Sequence, residues 1–170
     1  MSVLGIDPGL DGAVALLTES RAQVWDSPVL NVGPGGKVRR EHDVAGMVRL
    51  LTHALSSVAG PVHVAIESVH AMPGQGVRSM FSMGKGMGVW LGILAALSLS
   101  YNLVTPQRWK KAMLDGMGKE KDAARFRALQ LFPALSDQLA RKKDHGRAEA
   151  LLLAEYLRRT ITVTADGQDP

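Results

Sequence analysis

Short apolar runs alternate with longer stretches of helical period along this chain. Residues 3–6, 13–17 and 23–29 read as three strands in succession, the first two joined by the turn Pro8-Gly9-Leu10-Asp11-Gly12 and so antiparallel. Residues 31–42 carry Gly33, Pro34, Gly35 and Gly36 and read as a flexible loop. Asp43 is placed to cap a helix, because Val44, Met47, Val48, Leu51, Leu55 and Val58 recur at helical spacing before Gly60 and Pro61 stop it. Residues 62–66 form another short apolar strand, ending in Glu67.

Residues 71–85, rich in glycine, methionine and serine, show no period and lead into an apolar helix from about 86 to 100. A strand at 102–105 precedes Pro106, which suits the first turn of a helix running to Leu114. Gly116 and Gly118 interrupt the chain, a helix carrying Ala123, Phe126 and Leu129 stops at Pro133, and a last helix spans about 145–159. The polar tail, 160–170, is expected to fray. This order predicts an α/β fold with helices on the faces of a sheet. The 170 residues suit a single domain over residues 1–159.

Composition narrows the chemistry more than the fold. With no cysteine, a metal must be held by oxygen or imidazole. The apolar segment 87–99 is shorter than the roughly 20 residues a bilayer span needs, and the first strand begins without a basic, apolar leader, so a cytoplasmic protein is expected. The formal charge of +4 is unevenly spread, in Lys37, Arg39 and Arg40, in Arg108, Lys110 and Lys111, and in Arg141, Lys142 and Lys143. Such clusters suit a polyanionic partner gripped at its backbone, although a modest positive charge is also common in proteins that bind no nucleic acid.

The carboxylates are the sharper signal. Asp7 and Glu67 each end a short apolar strand; if those strands are parallel neighbours, both acids leave one sheet edge, where α/β proteins form ligand crevices. Asp144 stands at the entrance to the last helix and Glu149 inside it. Five residues at about 100° each put them some 140° apart, so they converge only if the approach to the helix is bent; the ordinary role of Asp144 alone is an N-cap. His145 shares a face with Glu149 and can bind metal, move a proton or line the groove. Four acids around one point would repel at a cost on the order of 1 to 4 kcal/mol per close pair. Hard oxygen donors would relieve this with Mg²⁺ or Mn²⁺, and a pair of such ions can activate water against a phosphodiester.

The segments Gly5-Ile6-Asp7-Pro8-Gly9, Ile66-Glu67-Ser68, the stretch 84–94, and Lys143-Asp144-His145-Gly146-Arg147-Ala148-Glu149-Ala150-Leu151-Leu152 resemble the RuvC-type Holliday junction resolvases of the ribonuclease-H-like superfamily. The wide spacing of Asp144 and Glu149 is more similar to the chloroplast and phage-type members than to bacterial RuvC. The resemblance implies a ribonuclease-H-like mixed sheet, with strands 1–3 antiparallel and later ones parallel. It further implies a homodimer that makes paired nicks in four-way DNA junctions, leaving 5′-phosphates, with two Mg²⁺ ions per site. Asp7, Glu67, Asp144 and Glu149 match the metal-binding tetrad, and His145 and Lys121 would be auxiliary.

By the same resemblance, His70 falls beside the junction centre and Gln75, Arg78 and Ser79 face the crossover. Lys110, Lys111, Lys119, Lys121, Lys142, Lys143 and Arg147 would contact DNA, and helix 86–100 would form the dimer. For His70 and the lysines, an ordinary loop or solvated position is the competing reading, and Trp109 docks its helix on the core. Three alternatives stay open: a non-catalytic junction binder, a ribonuclease-H-like nuclease on another nucleic acid, and the phosphate-binding strand pair of sugar kinases and actin-like ATPases. The last needs two such domains, for which this chain lacks the length.

Overall fold

A computed structural model of the chain describes residues 1–33, 38–70, 74–118 and 122–165. The strands are β1 (Ser2–Ile6), β2 (Ala13–Leu17), β3 (Ala22–Asp26), β4 (Val29–Val32), β5 (Arg39–His42), β6 (Val62–Glu67) and β7 (Tyr101–Val104). The helices are α1 (Val44–Ser56), α2 (Val77–Ala96), α3 (Pro106–Met113), α4 (Ala123–Leu131) and α5 (His145–Ala165), with 3₁₀ turns at Pro133–Leu139 and Lys142–Asp144.

One sheet in the order β3-β2-β1-β6-β7 organises the molecule. The pairs β1/β2 and β2/β3 are antiparallel, whereas β1/β6 and β6/β7 are parallel, as the expected mixed sheet requires. β1 is buried along its whole length, as befits a central strand covered on both faces. Leu4 and Ile6 point into a core shared with Met47 and Leu51 of α1 and Trp90 and Leu94 of α2. Val3 faces the opposite core, with Trp109 and Met113 of α3, Ala128 of α4 and Leu151 and Leu152 of α5.

Four local expectations change. Residues 31–42 are not simply a loop: β4 and β5 form an antiparallel hairpin, pairing Asn31 with Arg40 and Val29 with His42, which no apolar alternation announced. The third strand stops at Asp26, before Pro28, instead of reaching Val29. α2 begins at Val77, nine residues before the expected Gly86; its glycine-rich first half lacks a helical period because most of that face meets no core. α5 continues past Arg159 through residues expected to fray. The Asp43 cap is as expected, its Oδ1 accepting the Gly46 amide at 2.9 Å. Among the described residues no helix is long and apolar enough to cross a membrane.

α5 crosses the sheet unusually close to β1. A Cβ on Gly5 would lie 2.2 Å from the Ala150 carbonyl oxygen and 2.7 Å from the Ala154 nitrogen, so only glycine permits this approach. Gly5→Ala should therefore overpack the interface and cost about 1–3 kcal/mol, read as a lower urea midpoint at unchanged slope. An unchanged midpoint would mean that α5 can stand away from β1.

Candidate functional site

The register of β1 against β6 pairs Ile6 with Ile66, so Asp7 and Glu67, the next residue in each strand, leave the same edge side by side. Alternation puts both on the face covered by α3 and α5. The Asp7 carboxylate first organises its own turn, with Oδ1 accepting the Gly9 amide at 3.1 Å, an Asx-type arrangement that fixes the side chain. Glu67 Oε1 accepts the indole N–H of the buried Trp109 at 2.8 Å. Lys110, next on α3, reaches across so that its Nζ meets Glu149 Oε1 on α5 at 2.8 Å.

These groups feel one another. Burial raises the Asp7 carboxyl from 3.8 to about 7, with the Gly9 hydrogen bond opposing the rise and the charges of Glu149 and Glu67 adding to it. Burial likewise raises Glu67, aided by Glu149 and opposed by the Trp109 hydrogen bond and Lys110. For Lys110, burial works against its charge, but Glu149, Glu67 and Asp7 together raise it. The ammonium is thus the countercharge that the three carboxylates share.

Asp144 has a partner of its own. It is only 3% exposed, and it receives the Arg141 backbone amide at 2.8 Å and the guanidinium at 2.8 Å. Despite the cost of burial, these contacts lower its titration below the usual carboxylate range. Of the four expected acids, Asp7, Glu67 and Glu149 are coupled electrostatically, while Asp144 is paired with Arg141. The physical reason is local: the Lys142–Asp144 turn bends the chain as anticipated, but it closes a reciprocal cap that takes both Asp144 oxygens. Among the described residues no three His, Asp or Glu side chains stand ready-made as a metal cage. The chemistry of the donors still fits a hard divalent cation, since three carboxylates share one edge and two of them, Asp7 and Glu67, are driven toward protonation by burial and by the charge of Glu149.

Beside the acids lies a groove of about 690 Å³ lined by Lys110, Asp122, Lys142, Lys143, His145 and Glu149, among others. His145, Lys142 and Lys143 are exposed there, and Lys111 is exposed on α3. Arg147, expected on DNA, instead forks onto both oxygens of Asp26 at 2.6 Å and donates to the Gln138 carbonyl, tying α5 to the end of β3. His70 is exposed at the end of β6, with Nε2 3.2 Å from the Ser68 hydroxyl. It shares a small cleft with Gln75 and Met80 of the α2 entrance; Arg78 and Ser79 are exposed there. Lys37, Met72, Lys119 and Lys121 lie outside the described residues.

The sequence reading missed Trp109 as a carboxylate partner and Arg141 as a guard of Asp144. Only the second had a signal, an arginine three residues before an acid at a helix entrance.

No family model matches the chain. It is 32% identical over 151 residues to the chloroplastic Holliday junction resolvase MOC1 of Chlamydomonas reinhardtii, a match covering 80% of this chain but only 17% of that longer protein. Solved structures share the fold. Thermus thermophilus RuvC in complex with a Holliday junction substrate gives a TM-score of 0.56 at 17% identity, covering 94% of this chain and 96% of the other. A second Thermus thermophilus RuvC structure gives 0.52 at 19% identity, covering 95% and 98%. The motif resemblance to RuvC-type resolvases, nearer the chloroplast kind, is thus met by sequence similarity to one and by the fold of the other.

The charge balance of the edge has a measurable consequence. Unfolded protein releases the Asp7 proton near 3.8 and folded protein at about 7, so between these values only the native state keeps it. The stability from this group is full at low pH, is lost as pH rises toward about 7, and stays lost above that. In metal-free protein, Asp7→Asn should flatten this slope and leave the variant more stable than the parent at pH 8 in urea denaturation. Equal pH profiles would mean that this carboxylate is not desolvated.

Proposed function

We propose that this chain, related by sequence and fold to RuvC-type resolvases, is a metal-dependent nuclease that resolves four-way DNA junctions by paired nicks. The observation supporting it above all is the meeting of Asp7, Glu67 and Glu149 at one sheet edge, next to a groove with Lys110, Lys142 and Lys143 on its wall. Hydrolysing a phosphodiester needs negative oxygens to hold cations, and needs positive charge to bring the polyanion to them. The site has both, with Lys110 2.8 Å from Glu149 and Lys142 and Lys143 lining the same groove as Glu149.

Asp7, Glu67 and Glu149 would hold magnesium-type cations, two per site, whose chemistry is to acidify a water and neutralise charge on the departing 3′ oxygen. The residues around them prepare that placement. Trp109 takes up one oxygen of Glu67 and thereby leaves the other free and fixed in direction. Lys110 holds Glu149 while keeping positive charge at the edge. Lys142 and Lys143 would lie along the phosphates and set the register of the strand without reading bases. His145, on the Glu149 face, is the nearest candidate for moving a proton, and Lys121 is retained as an auxiliary by resemblance. Asp144 would enter the ligand set only on release from Arg141.

Paired nicks require two copies of the site. α2 buries Gly86, Trp90, Ile93 and Leu94 against the sheet, while Val77 and Phe81 are 78% and 74% exposed. A Cβ at Gly84, Gly88 or Gly92 would meet nothing within 4 Å. This open face is where a second copy would pack to form the homodimer, bringing the 74–79 segments toward the crossover. A cytoplasmic address belongs to the same proposal.

One observation favours a second reading. The Lys110–Glu149 ion pair neutralises part of the edge without any metal, as a junction binder that never cuts would need.

A labelled four-way junction, a linear duplex and an RNA–DNA hybrid, each incubated with protein and Mg²⁺, separate the readings. Symmetric paired nicks in the junction with ligatable 5′-phosphates are expected. Retention without cutting would favour the binder, and degradation of the hybrid a different nuclease. Glu67→Gln and Glu149→Gln are expected to lower cleavage by at least about 10²-fold while leaving the gel-shift affinity nearly unchanged; full cleavage by both would discard the site.

A further inference from the structure

The hairpin of β4 and β5 sits outside the main sheet and yet touches the turn that carries Asp7. Arg40, on β5, donates from Nη2 to the Leu10 carbonyl at 2.7 Å and from Nη1 to the Asp11 carboxylate. Leu10 and Asp11 lie within the loop that joins β1 to β2, whose conformation is set by the Asp7–Gly9 and Gly12–Gly9 hydrogen bonds. From the other side the same loop is met by α5, where a Cβ on Gly146 would lie 2.1 Å from the Asp11 carbonyl oxygen. The loop is therefore gripped between a helix entrance and an arginine fork.

The fork itself is held. At the hairpin base the Asp43 amide donates to the Pro28 carbonyl at 2.9 Å. His42 packs into the space left by Gly86 of α2 so tightly that a Cβ there would lie 2.3 Å from Nε2. Glu41 bridges to Lys85 of α2 at 2.9 Å. Arg40 thus projects from a hairpin anchored on the sheet's α2 side and braces a loop at the sheet edge.

We propose that Arg40 is a positioning residue for the metal centre: through Leu10 and Asp11 it holds the Pro8–Gly12 loop so that the Asp7 carboxylate keeps the direction a divalent cation requires. Its role is distinct from folding, because the Arg40 and Asp11 side chains are 43% and 66% exposed, and ion pairs so exposed add little to stability. Its role is also distinct from gripping DNA, because both guanidinium nitrogens that donate are committed to the loop. A planar fork can satisfy a carbonyl and a carboxylate together, whereas a lysine at this place satisfies one. The inference rests on the proposed metal-dependent nuclease, but its first test needs no DNA.

Mn²⁺ binding to the protein alone, followed by electron paramagnetic resonance, should weaken about 10-fold or more in Arg40→Ala, the usual scale for losing a group that orients a ligand, and by an intermediate amount in Arg40→Lys. Single-turnover cleavage of the four-way junction should fall in parallel, with the gel-shift affinity within about twofold of the parent and the melting temperature unchanged. Unaltered Mn²⁺ affinity in Arg40→Ala overturns the positioning role, as does junction affinity falling in step with cleavage, which would make Arg40 a phosphate contact. A lowered melting temperature in both variants overturns it in favour of a folding role. If the parent binds Mn²⁺ but leaves junctions intact, the nuclease reading fails while the Mn²⁺ comparison still decides Arg40; if the parent binds no Mn²⁺, both fall.

Discussion

Everything at the sheet edge depends on how near α5 can come to β1. Two glycines set that distance: Gly5 admits the Ala150 carbonyl against the strand, and Gly146 admits the Asp11 carbonyl against the helix entrance. Glu149 lies on the helix between these two points, so its height above Asp7 is fixed by backbone packing and not by the reach of a flexible side chain. Placing an acid in this way has a cost. Asp7 is buried and surrounded by like charge, and it is held near neutrality only because a proton, or a cation, relieves it. The molecule thus stores at one edge an electrostatic demand that its own core packing created.

Lys110 shows how that demand is met in the absence of any other cation. A single ammonium on α3 serves three carboxylates from two strands and a helix, and the neighbouring Trp109 holds one of them through its indole. Both side chains come from one turn of α3, whose start is fixed by Pro106 after β7. Because β7 is parallel to β6 and paired with it up to Glu67 and Val104, the turn that follows β7 emerges beside the acids. The parallel part of the sheet therefore delivers the acids and their partners to one place, while the antiparallel part supplies the buried floor beneath them.

Much of this was legible in the sequence. The apolar runs located five of the seven strands, because central strands must be apolar on both faces, and Asp43 and Pro106 marked helix starts by their backbone chemistry. The placement of Asp7 and Glu67 followed from their shared position at strand ends. The hairpin was not legible, since β5 reads Arg-Arg-Glu-His and gains its order from Asp11, Lys85 and Gly86, which are distant in sequence. The start of α2 was hidden because a helix whose outer face meets no core needs no apolar stripe there. Trp109 read as a core residue, which it is, but its one polar atom could be assigned only once α3 was seen beside β6.

Asp144 is the acid whose surroundings the sequence did not announce. Helical geometry allowed it to approach Glu149 only through a bent entrance, and the bend exists in the Lys142–Asp144 turn. A bend frees backbone donors, however, and those donors need an acceptor. The Arg141 amide finds it in Asp144, and the Arg141 guanidinium then neutralises the charge. The same geometry that would bring Asp144 to the acidic edge thus creates a competing partner nearer at hand. The edge keeps three acids against one ammonium, an imbalance that the proposed divalent cations would relieve.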